Sequence, residues 1–232
     1  MAEIGLIDVD GHNFPNLALM KISAYHKAKG DNVEWCLPIK HYDIVYQSKV
    51  FDDTYSKDID YFPMADKIVK GGTGYGLDNN LPYEIEHIYP DYSLYSETNI
   101  DIENTAYGFL TRGCPRACDF CIVAEKEGRK AYKVADLSEF WNGQKYIKLL
   151  DPNILACKQH LNLLQQLVDS KAYVDFTQAL KVCEVVKQAL EKQIPKKTTE
   201  KTTNRGIDIS GEYDIDFDLC GADMRKEGAD NG

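Results

Sequence analysis

Three of the seven cysteines in this 232-residue chain, Cys114, Cys118 and Cys121, fall on one short segment at the spacing C-x3-C-x2-C. Thiols spaced this closely can wrap a single metal centre, so the surrounding chain has to fold into a support that presents one loop. Thiolates are soft ligands that select zinc or iron–sulfur clusters. A structural zinc site normally takes four protein ligands, and no histidine stands in the segment. In a 4Fe-4S cube each iron needs one outside ligand beyond its sulfides, so three cysteines leave one iron open to a small molecule. A zinc knuckle completed by remote ligands is the alternative.

The segment is fed by a strand. Thr105 to Thr111 is a strand candidate that runs into the cysteines, Tyr146 to Leu150 is a second that ends at Asp151-Pro152-Asn153, and Ala172 to Phe176 is a third. Between the last two, Ile154, Cys157, Leu161, Leu164 and Val168 recur at steps of three and four and predict one helix face. Nearer the N-terminus, Ile4 to Val9 reads as a buried parallel strand closed by Asp10-Gly11. Pro15 then suits a first helical turn, Leu17, Met20, Ala24 and Ala28 share a face, and Gly30 ends the helix. Further strand candidates at Val33 to Leu37, Tyr42 to Tyr46 and Lys67 to Val69 make this an α/β chain beginning with a small doubly wound, Rossmann-like sheet.

A chain that is 44% hydrophobic and 28% charged can support one large core or two modest ones. The pattern predicts a Rossmann-like region over 1–77 and a linker over 78–104, polar, tyrosine-rich and broken by Pro82 and Pro90, that crosses the surface. The unit carrying the cysteines spans 105–178. Residues 179–232 read as one helix around Val182, Val186 and Leu190, a disordered run from Lys196 to Asn204 and an irregular acidic tail. The net charge of -10 argues against nucleic acid as principal partner. No apolar run approaches the roughly 20 residues of a membrane span, and the N-terminus lacks the marks of a signal peptide. Clustered thiols fit the reducing cytoplasm.

Gly113-Cys114-Pro115-Arg116-Ala117-Cys118-Asp119-Phe120-Cys121, entered from a strand and with an aromatic before the third cysteine, resembles the cluster loop of the radical S-adenosylmethionine enzymes. The resemblance implies a 4Fe-4S cluster on Cys114, Cys118 and Cys121, with S-adenosylmethionine bound at the open iron. An external electron donor would reduce the cluster, and the cofactor would be cleaved to methionine and a 5'-deoxyadenosyl radical. It places Phe120 near the adenine, and Asp151, Asn153, Asp175 and Gln178 at strand ends on the rim that receives the nucleoside. Read locally, Asp151 and Asn153 are N-cap residues instead.

The same resemblance implies a TIM-like barrel. A βα unit of such a barrel takes about 30 residues, so the three strands legible over 105–178 make a partial one, with edges that call for a completing partner or a second copy. A non-catalytic zinc or iron–sulfur protein and a truncated, inactive relative are the rival readings. Asp10-Gly11-His12, Ser48-Lys49-Val50 and Gly71-Gly72 resemble in order the cobalamin signature D-x-H-x-x-G, S-x-L, G-G. Pro15 stands where the signature has its glycine, so the resemblance implies a cobalamin-domain-like fold and argues against bound cobalamin. The substrate is not legible.

Overall fold

The computed structural model describes residues 1–11, 14–98, 100–177 and the backbone of 206–208; Gln178, His12 and the expected C-terminal helix lie outside them. The apolar run after Glu3 forms β1 (Glu3–Asp8), buried along its middle. Asn16 then caps α1 (Leu17–Ala28), its side chain accepting from the Leu19 amide at 3.2 Å. Leu19, Met20 and Ile22 lay α1 on Ile4 and Leu6. With β2 (Asn32–Trp35), β3 (Tyr42–Ser48) and β4 (Ala65–Gly71), β1 makes a parallel sheet in the order β2-β1-β3-β4.

Only the β1–β2 crossover carries a helix. The connections 36–41 and 49–64 contain none, so the face opposite α1, around Ile7, Tyr42 and Val45, is covered by irregular chain that brings Cys36 and Ile59 against it. This departs from the doubly wound arrangement, which needs helices on both faces. A crossover holding a helix takes about 10–12 residues; 36–41 is too short, and 49–64 has no helical periodicity and contains Pro63.

The stretch 78–104 is not a surface crossing. It holds α2 (Tyr83–Glu86) and a 3-10 turn over Tyr92–Tyr95, and it buries Ile85, Leu94, Tyr95 and Ile102 in one cluster with Ile4, Leu6 and Leu19. Polar bonds reinforce the seam: Tyr95 Oη donates to Asp8 at 2.6 Å, and Trp35 Nε1 donates to the Leu94 carbonyl at 3.1 Å. Pro82 and Pro90 divide the stretch into pieces too short to show a period, which is why its apolar residues read as scattered.

The second sheet begins with β5 (Thr105–Gly108). The expected strand breaks after Gly108 and resumes as β6 (Thr111–Arg112), which pairs antiparallel with β7 (Tyr132–Lys133), and between these lies the one-turn helix α3 (Val123–Lys126). The chain continues through β8 (Tyr146–Leu149), a 3-10 turn over Ile154–Ala156, α4 (His160–Ser170) and β9 (Tyr173–Phe176). β5, β8 and β9 are parallel with successive strands adjacent, and β10 (Gly206–Asp208) pairs antiparallel with β9. Leu163 and Leu167 are the buried residues of α4, and they pack with Leu110, Ile147, Leu149 and Val174, whereas Leu161 is exposed. Ile154 and Cys157 are buried as expected, but in the turn before the helix, which resets its phase.

All four residues of β5 are buried although it is the edge of its sheet. At Tyr107 the edge is closed by Tyr92, whose hydroxyl accepts the Tyr107 amide at 3.1 Å and donates to the Phe140 carbonyl at 2.6 Å. Burial pushes the Tyr92 phenol well above its ordinary value. Tyr92→Phe leaves an amide and a carbonyl without that partner, so a stability loss of about 1–3 kcal/mol is expected. It would be read as a lower urea midpoint at unchanged denaturant slope. No helix among the described residues is long and apolar enough to cross a membrane.

Candidate metal centre at the cysteine loop

The β6–β7 pair closes the neck of a loop over residues 113–131. Gly113 sits at φ 78°, and a Cβ there would lie 2.3 Å from the Lys130 carbonyl oxygen, so the neck requires glycine. The Gly113 amide donates to one carboxylate oxygen of Glu127 at 3.0 Å while Arg112 Nη1 donates to the other at 2.7 Å. Arg112 also reaches Glu86 at the end of α2, at 3.3 Å, and its guanidinium lies 4.0 Å from the centre of the Phe109 ring. The Cys114 amide donates to the Gly128 carbonyl at 3.1 Å. Glu127→Ala is expected to speed hydrogen exchange at the Gly113 amide by about tenfold, the loss of one charge-assisted bond; NMR-detected exchange of that amide checks it.

The thiols occupy different depths. Cys114 is buried at the neck, Cys118 is half-buried and Cys121 is exposed. The Cys121 amide donates to the Cys118 carbonyl at 2.9 Å, a tight turn that joins the last two cysteines. Between the first two, Ala117 has φ 44°, a left-handed conformation uncommon outside glycine and one that collects at functional sites. Among the described residues no three Cys, His, Asp or Glu side chains are gathered as a metal site. The three expected ligands therefore share one loop but not yet one centre. The soft donor set fits a thiolate-held cluster, and Cys118 and Cys121 lie on the solvent-facing part of the loop. Cys157 is buried in the core cluster with Leu149, Leu163 and Leu167, and burial raises the thiol of Cys36.

Two side chains from the segment just past β8 approach this loop, one at the turn that leads into it and one at Cys114. Asp151 accepts the Leu110 amide at 3.0 Å and both the amide and the hydroxyl of Thr111. Burial raises its carboxyl to about 6 despite these bonds. Its oxygens thus hold the turn between β5 and β6, a task that sequence reasoning did not assign to it. Asn153 is 3% exposed. Its Nδ2 donates to Cys114 Sγ at 3.8 Å, and its Oδ1 is buried with no hydrogen-bond partner among the described residues. Asn153 makes no capping bond to the 3-10 turn it begins, so neither residue is occupied as a helix cap.

Phe120 stands 91% exposed at the loop tip. Asp175 lies on β9, one residue before its end. Sequence reasoning missed Arg112, Thr111 and Glu127 as the residues that fix the neck; the Thr-Arg-Gly run ahead of Cys114 was the available signal, and nothing in the spacing marks Glu127.

At the carboxyl ends of the first sheet, between β1 and β3, the strand order reverses, which is where ligands bind in open α/β sheets. Here Asn16 Nδ2 donates to Ser48 Oγ at 2.8 Å, burial raises the Asp8 carboxyl, and the fully buried Lys49 pairs with Asp53. A Cβ on Gly72, at φ 93°, would lie 2.1 Å from the Lys49 carbonyl oxygen, so this glycine serves the chain's own backbone. Comparison with known proteins finds no matching family model and no significant match among curated proteins or solved structures.

Proposed function

We propose that the chain is a radical S-adenosylmethionine protein, in which Cys114, Cys118 and Cys121 hold a 4Fe-4S cluster and S-adenosylmethionine takes the open iron. The observation that carries this reading is the unpartnered, buried Oδ1 of Asn153 beside Cys114. An orphaned acceptor costs stability unless a donor meets it, and the amino group of a methionine moiety coordinated at the open iron would still carry N–H donors for it. The strand order supports the reading too. Strands β5, β8 and β9 are parallel and adjacent in succession, an order compatible with a βα-repeat unit such as a TIM-like barrel contains, although β10 pairs antiparallel with β9.

Cys114, Cys118 and Cys121 would hold the cluster, which when reduced would supply the electron for cleaving S-adenosylmethionine to methionine and a 5'-deoxyadenosyl radical. The protein's part is orientation and exclusion of water. Asp151 fixes the turn that launches the loop and Glu127 and Arg112 fix its neck, while Asn153 would accept from the amino group and Phe120 would lie near the adenine. Gln178 belongs to the nucleoside rim in this reading, an external one-electron donor is required, and cobalamin has no part. Such chemistry places the chain in a reducing compartment, the cytoplasm, with a second copy or another protein closing the barrel.

The test is anaerobic reconstitution of the full chain with iron and sulfide, then reduction in the presence of S-adenosylmethionine. A brown protein that forms methionine and 5'-deoxyadenosine in equal amounts is expected. A colourless protein that retains zinc in place of iron overturns the proposal in favour of a structural metal site.

A further inference from the structure

We propose that Asn153 sets the reduction potential of the cluster by donating an amide hydrogen bond to the Cys114 thiolate; the inference rests on Cys114 being a cluster ligand. Of the three cysteines, Cys114 is the buried one, and Asn153 Nδ2 is the side-chain donor that reaches its sulfur, at 3.8 Å. Cys118 and Cys121 lie nearer the solvent, where water can meet their sulfurs. The electrostatic effect of a protein donor is therefore concentrated at Cys114, where the local dielectric is low.

The direction of the bond follows from chemistry. An asparagine amide can be placed either way round in a structure, but a metal-bound thiolate has no proton to give, so in the loaded protein the NH2 end must face the sulfur. Oδ1 is then turned away and left as the acceptor described above. The side chain is also held in place. It stands at the start of the 3-10 turn that follows β8, its own carbonyl accepts the Ala156 amide at 3.2 Å in that turn, and the neighbouring Ile154 is 1% exposed in the core. A donor fixed by a strand end and a packed turn keeps its geometry through a change in cluster charge. Reduction adds negative charge to the cluster and its thiolates. A hydrogen bond to the sulfur therefore stabilises the reduced form more than the oxidised one and raises the potential.

The experiment compares the wild-type chain with Asn153→Asp, Asn153→Ala and Asn153→Gln. All are reconstituted with iron and sulfide, and the midpoint potential is measured by redox titration with EPR detection of the reduced cluster, without S-adenosylmethionine. Asn153→Asp keeps the shape and loses the donor, so it is expected to load the same iron as wild type and titrate at a more negative potential. Asn153→Ala should shift the same way. Asn153→Gln, which retains an amide, should recover part of the difference. Unchanged potentials in Asn153→Asp and Asn153→Ala overturn the proposal, as does loss of iron from all three variants, which would make Asn153 a scaffold for the loop. Failure of the wild-type chain to take up a cluster defeats the functional reading itself and is recognised before any variant is titrated.

Discussion

Alanine at Cys114, Cys118 or Cys121 is expected to abolish iron retention by the reconstituted chain, while alanine at Cys36 or Cys157 leaves iron content at the wild-type level. In the proposed site a cube held at three corners would have no spare protein ligand, so losing one thiolate would leave two points of attachment on a loop whose last cysteine is exposed. The two controls separate cysteine chemistry from cysteine packing. Cys36 packs beside Ile7, Tyr42 and Val45 under the first sheet, and Cys157 is 2% exposed among Leu149, Leu163 and Leu167. Cys157→Ala should cost about 1 kcal/mol of stability through the small cavity it leaves. Iron and sulfide analysis after gel filtration reads the difference; equal iron in Cys118→Ala and wild type would remove Cys118 from the ligand set.

The second large effect is a pH dependence. Asp151 is raised from 3.8 to about 6 by burial, so the folded chain binds this proton more tightly than the unfolded chain does. As pH rises from about 4 to about 6 the unfolded state gives up the proton while the folded state keeps it, and unfolding becomes easier across that window. The contribution levels off once the folded carboxyl has ionised. About two pKa units correspond to on the order of 2–3 kcal/mol. Asp151→Asn removes the titration and also places an NH2 group against the donors of Leu110 and Thr111, which lowers stability at every pH. Urea unfolding of the metal-free chain therefore should show the advantage of wild type over Asp151→Asn shrinking by that amount between about pH 4 and about pH 7. A constant advantage would mean that the carboxyl is not desolvated.

How much of this was legible depended on whether the information was local. The run Ile4 to Val9 was readable as a strand because it is continuously apolar, and the helix after Pro15 was readable as an element although its buried residues, Leu19, Met20, Ile22 and His26 among them, share only Met20 with the expected face. The cysteine spacing was readable because ligand geometry is local. The 78–104 stretch was misread because its buried residues come from turns, whose apolar positions follow no period and are chosen by what the two sheets leave between them. The break in the strand entering the loop was equally hidden. It depends on Asp151, some forty residues later, satisfying the amides of Leu110 and Thr111, and no window of sequence contains both partners. Asn153 was singled out for its place at a strand end, but its division between a sulfur and an open acceptor site emerges only in three dimensions.

The Tyr92 hydroxyl that closes β5 also gives the second sheet a polarity of growth. A strand can be added only where amides and carbonyls are on offer, and on the β5 flank a phenol from the preceding segment has already claimed the Tyr107 amide. A polypeptide added to this sheet would therefore meet that obstacle on the β5 flank. Freeing the β5 flank by Tyr92→Phe should leave the chain more inclined to stack edge to edge.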